Sequence, residues 1–328
     1  MNRVVVTGGG GFVGSHLVER LLSEGNEVTV FDHAEPPPGR LAAPIAPRYV
    51  TGDIRNRDQL AAAITPEVDI VYHLAAVVGV DRYLDQPLDV IDINLMGTRN
   101  VLDLADRAGA KVVVASTSEV YGKNPAVPWS EDDDRVLGST AVDRWSYSSS
   151  KALAEHLTFA LVRQRGLRAT IVRYFNVYGP RQRPAFVISR TIHRALRGLA
   201  PVIYDDGEQT RCFTFVDDAV TATMLAGSSA KSDGECFNIG SSDETTVQQA
   251  VQLAIELAGG ASTVIPVDTR ERLGTRYQDL CRRIPDTTKA WEVLNWRSTT
   301  SLREGLAKTI EWARVNPWWL EQADSGQA

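Results

Sequence analysis

The stretch Arg3-Val4-Val5-Val6-Thr7-Gly8-Gly9-Gly10-Gly11-Phe12-Val13-Gly14 decides the fold of this chain. A short apolar strand runs directly into a loop in which Gly8, Gly11 and Gly14 recur at every third position, and a helical pattern follows. Small residues permit a tight turn and a close approach of the backbone to a pyrophosphate, which the first N–H groups of the helix can bind. The stretch therefore predicts a dinucleotide-binding strand, turn and helix.

The first half of the chain alternates short β-branched runs with helical patterns, which is typical of a parallel sheet built from βαβ units. The predicted strands are residues 3–7, 27–32, 48–51, 69–74, 111–116 and 168–174. The predicted helices are residues 15–23, 57–63, 94–108 and 148–164. The strands are apolar almost throughout, as expected when helices cover both faces of a sheet. The pattern predicts a Rossmann-like, doubly wound α/β fold.

The alternation weakens after Gly179, where a helix at 185–199 and a strand at 201–204 precede short mixed elements. We expect residues 1–178 to form the dinucleotide-binding domain, with the last elements of its sheet contributed by later residues. Residues 179–323 are then a smaller, mainly substrate-binding portion. The small, polar tail 324–328 is expected to fray.

Composition restricts the partners of the chain. Its 328 residues carry a formal net charge of -6, so nothing favours a nucleic-acid or anionic-membrane surface. The sequence opens directly on a strand without a signal peptide, and no apolar run approaches membrane length. The 3 cysteines are isolated and the 5 histidines lack metal-ligand spacing, which favours a cytoplasmic protein without a metal site.

Asp32, at the end of the second predicted strand, indicates which dinucleotide is bound. A carboxylate at this point can accept hydrogen bonds from the adenosine ribose and would repel a 2′-phosphate. The sequence therefore predicts NAD rather than NADP. Asp53 closes the third strand, where it is expected beside the adenine, although a helix cap explains it equally well.

Tyr147 and Lys151 lie at i and i+4 on a predicted helix and so share one face. A free tyrosine has a pKa of about 10, too high for a general base at neutral pH. A neighbouring ammonium and the positive nicotinamide of NAD favour the phenolate and lower that pKa. We predict that Tyr147 takes a proton from a sugar hydroxyl while the carbon gives its hydride to NAD.

The fifth predicted strand runs into Ser116-Thr117-Ser118-Glu119, and the carboxyl ends of such strands face the ligand crevice. Thr117 is expected to hydrogen-bond the hydroxyl that is oxidised. Glu119 is a candidate acid or base, and a solvated or salt-bridged carboxylate is the alternative with equal weight.

Together these motifs resemble the extended short-chain dehydrogenase/reductase family, the nucleotide-sugar epimerases, dehydratases and decarboxylases. Gly52-Asp53-Ile54, His73-Leu74-Ala75-Ala76, Asn94 and Tyr174-Phe175-Asn176-Val177-Tyr178-Gly179-Pro180-Arg181 extend the resemblance over nearly the whole chain. It implies tightly bound NAD and a homodimer formed by the helices after Asn94 and after Tyr147. The implied NAD-binding residues are Gly8, Gly11, Phe12, Val13, Gly14, Asp32, Asp53, Ile54, Leu74, Ala75, Ala76, Tyr147, Lys151, Val177 and Arg181.

Within this family, the residues after Thr117 favour the UDP-glucuronate decarboxylases. The dTDP-glucose 4,6-dehydratases have an Asp-Glu pair there, whereas this chain has Ser118-Glu119. Residues 144–151, 211–214 and 283–286 resemble the decarboxylases as well. The resemblance implies that Arg283 is a catalytic group near the sugar carboxylate. It implies that the substrate-binding residues are Tyr83, Thr117, Ser118, Asn176, Arg211 and Arg276.

The resulting hypothesis is NAD-dependent oxidative decarboxylation of UDP-glucuronate. Oxidation at C4 places a ketone β to the C6 carboxylate, so CO2 can leave as an enolate forms. Thr117 and Tyr147 can stabilise that oxyanion, and Glu119 can help to protonate C5. The product is UDP-4-keto-pentose or, after re-reduction, UDP-xylose. The nearest rival is a UDP-glucuronate 4-epimerase, followed by another nucleotide-sugar epimerase or dehydratase and by a non-catalytic NAD-binding regulator.

Overall fold

The computed structural model describes residues 1–35, 46–260, 263–274 and 278–324. The strands, in chain order, are β1 (Arg3–Thr7), β2 (Glu27–Asp32), β3 (Arg48–Thr51), β4 (Ile70–His73), β5 (Lys111–Thr117), β6 (Ala169–Tyr174), β7 (Val177–Tyr178), β8 (Val202–Tyr204), β9 (Thr210–Cys212), β10 (Thr214–Phe215), β11 (Cys236–Ile239), β12 (Glu244–Thr246) and β13 (Ile265–Val267).

The α-helices are α1 (Phe12–Ser23), α2 (Arg57–Ala61), α3 (Val80–Asp85), α4 (Pro87–Asp92), α5 (Thr98–Ala108), α6 (Arg144–Arg165), α7 (Val187–Leu196), α8 (Val216–Ser228), α9 (Val247–Ala258), α10 (Thr269–Leu273), α11 (Thr288–Leu294), α12 (Leu302–Arg314) and α13 (Pro317–Leu320). A π-helical turn spans Ile93–Gly97, and two 3-10 turns span Ser118–Tyr121 and Ala230–Ser232. No helix in these described ranges is long and apolar enough to cross a membrane.

A parallel, 7-stranded sheet forms the centre of the fold, in the order β11-β6-β5-β4-β1-β2-β3. The strand order reverses at β1, because β2 and β3 lie on one side of it and β4 to β6 on the other. Carboxyl ends of strands that flank such a reversal leave a crevice in which ligands bind. The predicted Rossmann-like, doubly wound fold is confirmed, and the predicted strands are β1 to β6.

Helices cover both faces of the sheet. Val4 and Val6 pack in one core cluster with residues of α1 and α8, whereas Val5 packs in a second cluster with residues of α5 and α6. This division follows from the alternation of side chains along a strand. A strand that is buried on both faces is therefore apolar at successive positions, which is why the sequence pattern identified these strands.

Helix α6 begins four residues earlier than predicted, at Arg144 and not at 148, and ends at Arg165, which Gly166 follows in a left-handed conformation. The earlier start places Arg144 and Trp145 in the first helical turn, on the amino side of Tyr147. The predicted helix 94–108 is not α-helical throughout, because its first turn belongs to the π-helical turn that precedes α5.

Beyond β6 the described residues form three two-stranded pairs, which are β7 with β10, β8 with β13 and β9 with β12. Strand β11 returns from this later part of the chain to the central sheet, where it pairs with β6. Residues of the central sheet region and residues of this later part of the chain line one cavity.

Candidate active site

A cavity of about 1100 Å³ opens at the carboxyl ends of β1 to β6. Residues that directly follow these strands form one wall, and residues after Gly179 form much of the remainder. The cavity therefore lies where a doubly wound sheet is expected to bind its ligand.

The cavity brings together the predicted site residues of the described chain, with the exception of Arg181. Those that line it are Gly8, Gly11, Phe12, Val13, Gly14, Asp32, Asp53, Ile54, Leu74, Ala75, Ala76, Tyr83, Thr117, Ser118, Glu119, Tyr147, Lys151, Asn176, Val177, Arg211 and Arg283. Arg276 lies outside the described residues.

The structure does not bring Arg181 to the cavity. Its Nη2 lies 2.8 and 2.9 Å from the two carboxylate oxygens of Glu19 on α1, and its Nη1 lies 3.4 Å from the Ser15 hydroxyl. The side chain thus forms a partly buried ion pair that joins α1 to the segment after β7. The structure gives no support to the expected contact between Arg181 and NAD.

The glycine turn has the geometry that a dinucleotide requires. Gly8 has a φ of 73°, and a Cβ there would lie 2.7 Å from the backbone nitrogen of Ala75. Helix α1 starts directly after Gly11 and has no acidic side chain in its first turn, so its N–H groups and positive dipole end are available to phosphates. Asp32 Oδ2 accepts from Gly10 N at 2.9 Å, which ties the glycine loop to the end of β2.

Asp53 does not cap the helix that follows it. The cap of α2 is Asn56, whose side chain accepts from the N–H groups of Asp58 and Gln59. Asp53 instead accepts from the Arg55 guanidinium, which holds the pKa of that carboxyl below its usual value. The helix-cap alternative for Asp53 is therefore wrong, and the residue lies on the cavity wall at the carboxyl end of β3.

Tyr147 and Lys151 are both buried on α6. The Lys151 ammonium donates to the Ala115 carbonyl of β5 at 2.9 Å, and the Tyr147 hydroxyl is hydrogen-bonded to Thr117. The Tyr147 ring stacks on Tyr83, with centroids 4.7 Å apart and planes 11° from parallel. These contacts fix the phenol against the end of β5.

The expected effect of Lys151 on the pKa of Tyr147 is not found. Burial raises the pKa of the Tyr147 hydroxyl above its usual value, and the negative charge of Glu119 raises it further. Burial also lowers the pKa of Lys151 to about 8. In the protein without a bound cofactor, desolvation therefore dominates the pKa of this phenol, and the joint effect of Lys151 and the nicotinamide of NAD stays a prediction.

Glu119 is buried and salt-bridged, not solvated. Its Oε1 lies 3.3 Å from Arg283 Nη2 and 3.5 Å from Arg144 Nη2. Burial alone would raise the pKa of Glu119, but the two guanidiniums lower it below its usual value. Within the described part of the chain, the buried Oε2 has no hydrogen-bond partner. One oxygen of this carboxylate is thus held by cations, and the other remains available for a proton.

Arg211 is held by protein acceptors at the cavity wall. Its Nη2 lies 2.9 Å from Asp279 Oδ1, and its Nη1 donates to the carbonyl oxygens of Thr210 and Leu280. The expected diphosphate contact would therefore be made by a guanidinium whose orientation is already fixed.

Sequence reasoning missed four residues around the cavity. Arg144 contacts Glu119 from behind the cavity wall, and Asp279 lines the cavity beside Arg211. Arg190 and Tyr204 line its other part, where the guanidinium carbon lies 4.9 Å from the ring centroid. The i, i+3 spacing to Tyr147 could have identified Arg144.

The donor groups of the described ranges suit organic ligands and phosphates. Among residues 1–35, 46–260, 263–274 and 278–324, no group of three His, Cys, Asp or Glu side chains is placed to hold a metal ion.

Comparisons with known proteins agree with the site geometry. Residues 4–240 match the model of the NAD-dependent epimerase/dehydratase family. A UDP-N-acetyl-alpha-D-glucosaminuronate decarboxylase of Bacillus cytotoxicus is 41% identical over 316 residues, which are 95% of this chain and 98% of that protein. UDP-glucuronic acid decarboxylase 6 of Arabidopsis thaliana is 36% identical, with 93% and 86% of the two chains covered.

Among solved structures, MoeE5 in complex with UDP-glucuronic acid and NAD is similar with a TM-score of 0.83 at 35% identity. The match covers 96% of this chain and 99% of that chain. The resemblance seen in the sequence is thereby confirmed, and the chain belongs to the NAD-dependent epimerase/dehydratase family.

Proposed function

We propose that this protein is an NAD-dependent decarboxylase of UDP-uronic acids, with UDP-glucuronate as the substrate. The observation that carries the proposal is the position of Arg283 and Glu119 in the same cavity as Thr117, Tyr147 and Lys151. The latter three residues suit oxidation of a sugar hydroxyl, and the Arg283 cation suits a carboxylate on the same sugar. The relatives that are named decarboxylases support the same reaction.

The chain has the groups that NAD requires. The glycine turn and the start of α1 would hold the diphosphate, Asp32 the adenosine ribose, and Lys151 the nicotinamide half. When bound, NAD supplies a hydride acceptor for C4 and can return the hydride to the ketone. A carboxylate at Asp32 also disfavours the 2′-phosphate of NADP.

Thr117 and Tyr147 would act on the C4 hydroxyl. Their mutual hydrogen bond favours the phenolate, in opposition to burial, and orients the Tyr147 oxygen at the end of β5. With NAD bound, the Tyr147 phenolate would be favoured by the positive nicotinamide, and it takes the proton of the C4 hydroxyl as the ketone forms. When CO2 leaves, the same two hydroxyls stabilise negative charge on the C4 oxygen.

Arg283 and Glu119 would act at the other end of the sugar ring. A uronate carboxylate that approaches Arg283 adds a negative charge near Glu119, which raises the pKa of Glu119 and favours uptake of a proton. Oε2 is the oxygen that can carry this proton, because Oε1 faces the two guanidiniums. Transfer from Oε2 to C5 then completes the loss of CO2.

A second substrate of the same class is UDP-N-acetylglucosaminuronate, which the name of the Bacillus cytotoxicus relative specifies. The 41% identity of that relative exceeds the 36% of the plant UDP-glucuronic acid decarboxylase. The two sugars differ only at C2, away from the carboxylate and the C4 hydroxyl. The proposed chemistry is therefore the same for both.

The experiment is to incubate the protein with NAD and each uronate in turn and to identify the products by mass spectrometry. We expect loss of CO2 from one of the two sugars, and Arg283→Met should retain C4 oxidation but lose decarboxylation. A product that keeps its carboxylate and has an inverted C4 would establish an epimerase instead. Turnover of neutral hexoses alone would contradict a uronate substrate.

A homodimer is the second part of the proposal. Large apolar side chains are exposed on α4, the π-helical turn and α6, including Leu88 (76%), Met96 (54%) and Leu153 (50%). Because α4 and this turn pack on α6, these side chains belong to one region of the surface. Leu153→Glu should give a monomer in light scattering, whereas Val315→Glu, at an exposed position directly after α12, should not. A Leu153→Glu dimer would contradict this interface.

We further assign residues 179–323 mainly to substrate binding, because Arg190, Tyr204, Arg211 and Arg283 come from this part and surround the cavity. Exchange of Arg190 for Met should then weaken UDP binding, measured calorimetrically, while NAD affinity is unchanged. A loss of NAD affinity alone would contradict the assignment.

A cytoplasmic location completes the proposal. Cys212 and Cys236 are buried free thiols, and Cys281 is an exposed one. Thiols persist in a reducing compartment. Fractionation of cells that express the protein should recover it with cytoplasmic markers, and recovery with an oxidising compartment would contradict this location.

A further inference from the structure

Arg144 is a buried cation that the proposed chemistry does not use. It lies in the first turn of α6, is 1% exposed, and sits behind the cavity wall. Its Nη2 lies 3.5 Å from Glu119 Oε1, and its Nη1 lies 3.8 Å from Asp279 Oδ1. A cation buried between two carboxylates of the active site acts on the charges that line the cavity.

Several charged and titratable groups face Glu119. They come from α3, α6 and the segment between α10 and α11, and they are Tyr83, Arg144, Tyr147, Asp279 and Arg283. The two tyrosines are neutral at neutral pH, because burial raises the pKa of each hydroxyl. The charge at Glu119 is therefore set by the guanidiniums and by Asp279.

Among the described residues that form ion pairs in this cluster, the positive charges outnumber the negative ones. Its cations are Arg144, Arg211 and Arg283, and its anions are Glu119 and Asp279. Burial would raise the pKa of each carboxyl, but the neighbouring guanidiniums lower both, so both are ionised at neutral pH. Arg144 adds a buried positive charge to this cluster, which favours an additional carboxylate in the cavity.

We propose that Arg144 is a positioning residue that holds Glu119 as a carboxylate and adds a positive charge that favours a carboxylate-bearing sugar. The inference rests on the proposed function in its choice of ligand. Without Arg144 the cluster loses one positive charge, and of the two guanidiniums that contact Glu119 only Arg283 remains. Arg144 thus favours uronates over neutral sugars without contact with either, because the attraction acts through a poorly screened interior.

The ionisation of Glu119 can be measured directly. Carbon NMR of isotope-labelled glutamate in the NAD-loaded protein, without sugar, follows its carboxyl against pH, and Glu119→Gln assigns the signal. Arg144→Met and Arg144→Gln should raise the pKa of Glu119 by about one unit or more, and Arg144→Lys should keep it near the wild-type value. Arg165→Met removes an exposed cation at the other end of α6 and is the control, expected to have no effect.

Sugar selectivity gives the second readout. The ratio of the Kd for UDP-glucose to the Kd for UDP-glucuronate should fall about tenfold in Arg144→Met and stay unchanged in Arg144→Lys. A merely structural role would lower the melting temperature of all three variants but leave the pKa and the ratio unchanged, which would overturn the inference. If Arg144→Met fails to fold, Arg144→Gln supplies the same comparison.

Different results would contradict the proposed decarboxylase function and the proposed role of Arg144. A wild-type protein that releases no CO2 from either uronate contradicts the decarboxylase, whereas the NMR titration needs no turnover and still decides the role of Arg144. An unshifted Glu119 in both neutral variants contradicts that role even if decarboxylation is observed.

Discussion

Replacement of Tyr147 by Phe removes one oxygen atom from the centre of the site. The ring should remain in place, because it is buried and stacked on Tyr83 at 4.7 Å. Thr117 loses one hydrogen-bond partner, which costs about 1 kcal/mol of stability, or roughly 2 °C in melting temperature. Affinity for NAD should be retained, because Lys151 stays bonded to the Ala115 carbonyl.

In Tyr147→Phe, the increase in activation free energy for sugar oxidation should be larger than the loss of folding stability. Loss of a positioned general base slows proton transfer by roughly a hundredfold to ten-thousandfold. That range is about 3 to 5 kcal/mol of activation free energy. The assay is a single turnover with UDP-glucuronate, in which absorbance reports the reduced nicotinamide before it is reoxidised.

Tyr72→Phe is the matched control, since Tyr72 is a buried tyrosine on β4 that does not line the cavity. It should oxidise the sugar at the wild-type rate. A Tyr147→Phe variant within a few-fold of the wild-type rate would refute the role of Tyr147 as the base. Loss of bound NAD in the same variant would refute the claim that the hydroxyl acts in chemistry alone.

Three further substitutions test the cofactor site and the core. Lys151→Met should stabilise the nucleotide-free protein by about 2 kcal/mol at pH 7, measured by chemical unfolding. Burial lowers the Lys151 pKa from 10.5 to about 8, and this shift corresponds to a loss of about 3 kcal/mol of folding free energy. The loss is larger than the contribution of the hydrogen bond that the substitution removes. Gly14→Ala should abolish NAD binding in calorimetry, since its Cβ would meet the carbonyl at the start of the turn, whereas Gly25→Ala should retain binding. Glu155→Gln should lower the melting temperature by roughly 6 °C or more, because Arg173 would be left buried without its carboxylate.

The sign of the Lys151 effect fixes its pH dependence. A folded pKa below the unfolded value means that the penalty is fully present below pH 8 and fades as pH rises toward 10.5. The wild-type protein and Lys151→Met should therefore converge in stability above pH 8, and a constant difference would contradict the explanation.

For Glu155→Gln the control is Glu256→Gln, whose exposed pair with Arg303 should contribute less than about 1 kcal/mol of stability.

Local sequence patterns were sufficient to predict the central sheet and the part of the cavity wall that the glycine turn and Asp32 form. The strands β1 to β6 are apolar because both faces are covered, and the glycine turn is specified by residues adjacent in sequence. The position of Asp32 at the end of β2 could also be predicted, because it depends only on the order of the strands and helices. These features could be predicted because each depends on a short segment.

The charges of the site depend on residues distant in sequence. Glu119 and Arg283 are 164 positions apart, so no local pattern shows that they share an ion pair. Arg181 was assigned to NAD because its partner Glu19, 162 positions away, could not be identified from the sequence. The raised pKa of Tyr147 in the protein without a cofactor could not be predicted, because spacing reveals a neighbouring lysine but not the burial of the phenol.

The most direct measurement of the central claim uses a uronate labelled with an isotope in its carboxylate. The protein is incubated with NAD and the labelled UDP-glucuronate or its N-acetylated counterpart, and both the released gas and the nucleotide sugar are analysed. Decarboxylation predicts that the label leaves as CO2 in step with substrate loss, and that Arg283→Met stops this release. A nucleotide sugar that is converted while it keeps all of its label would contradict the account.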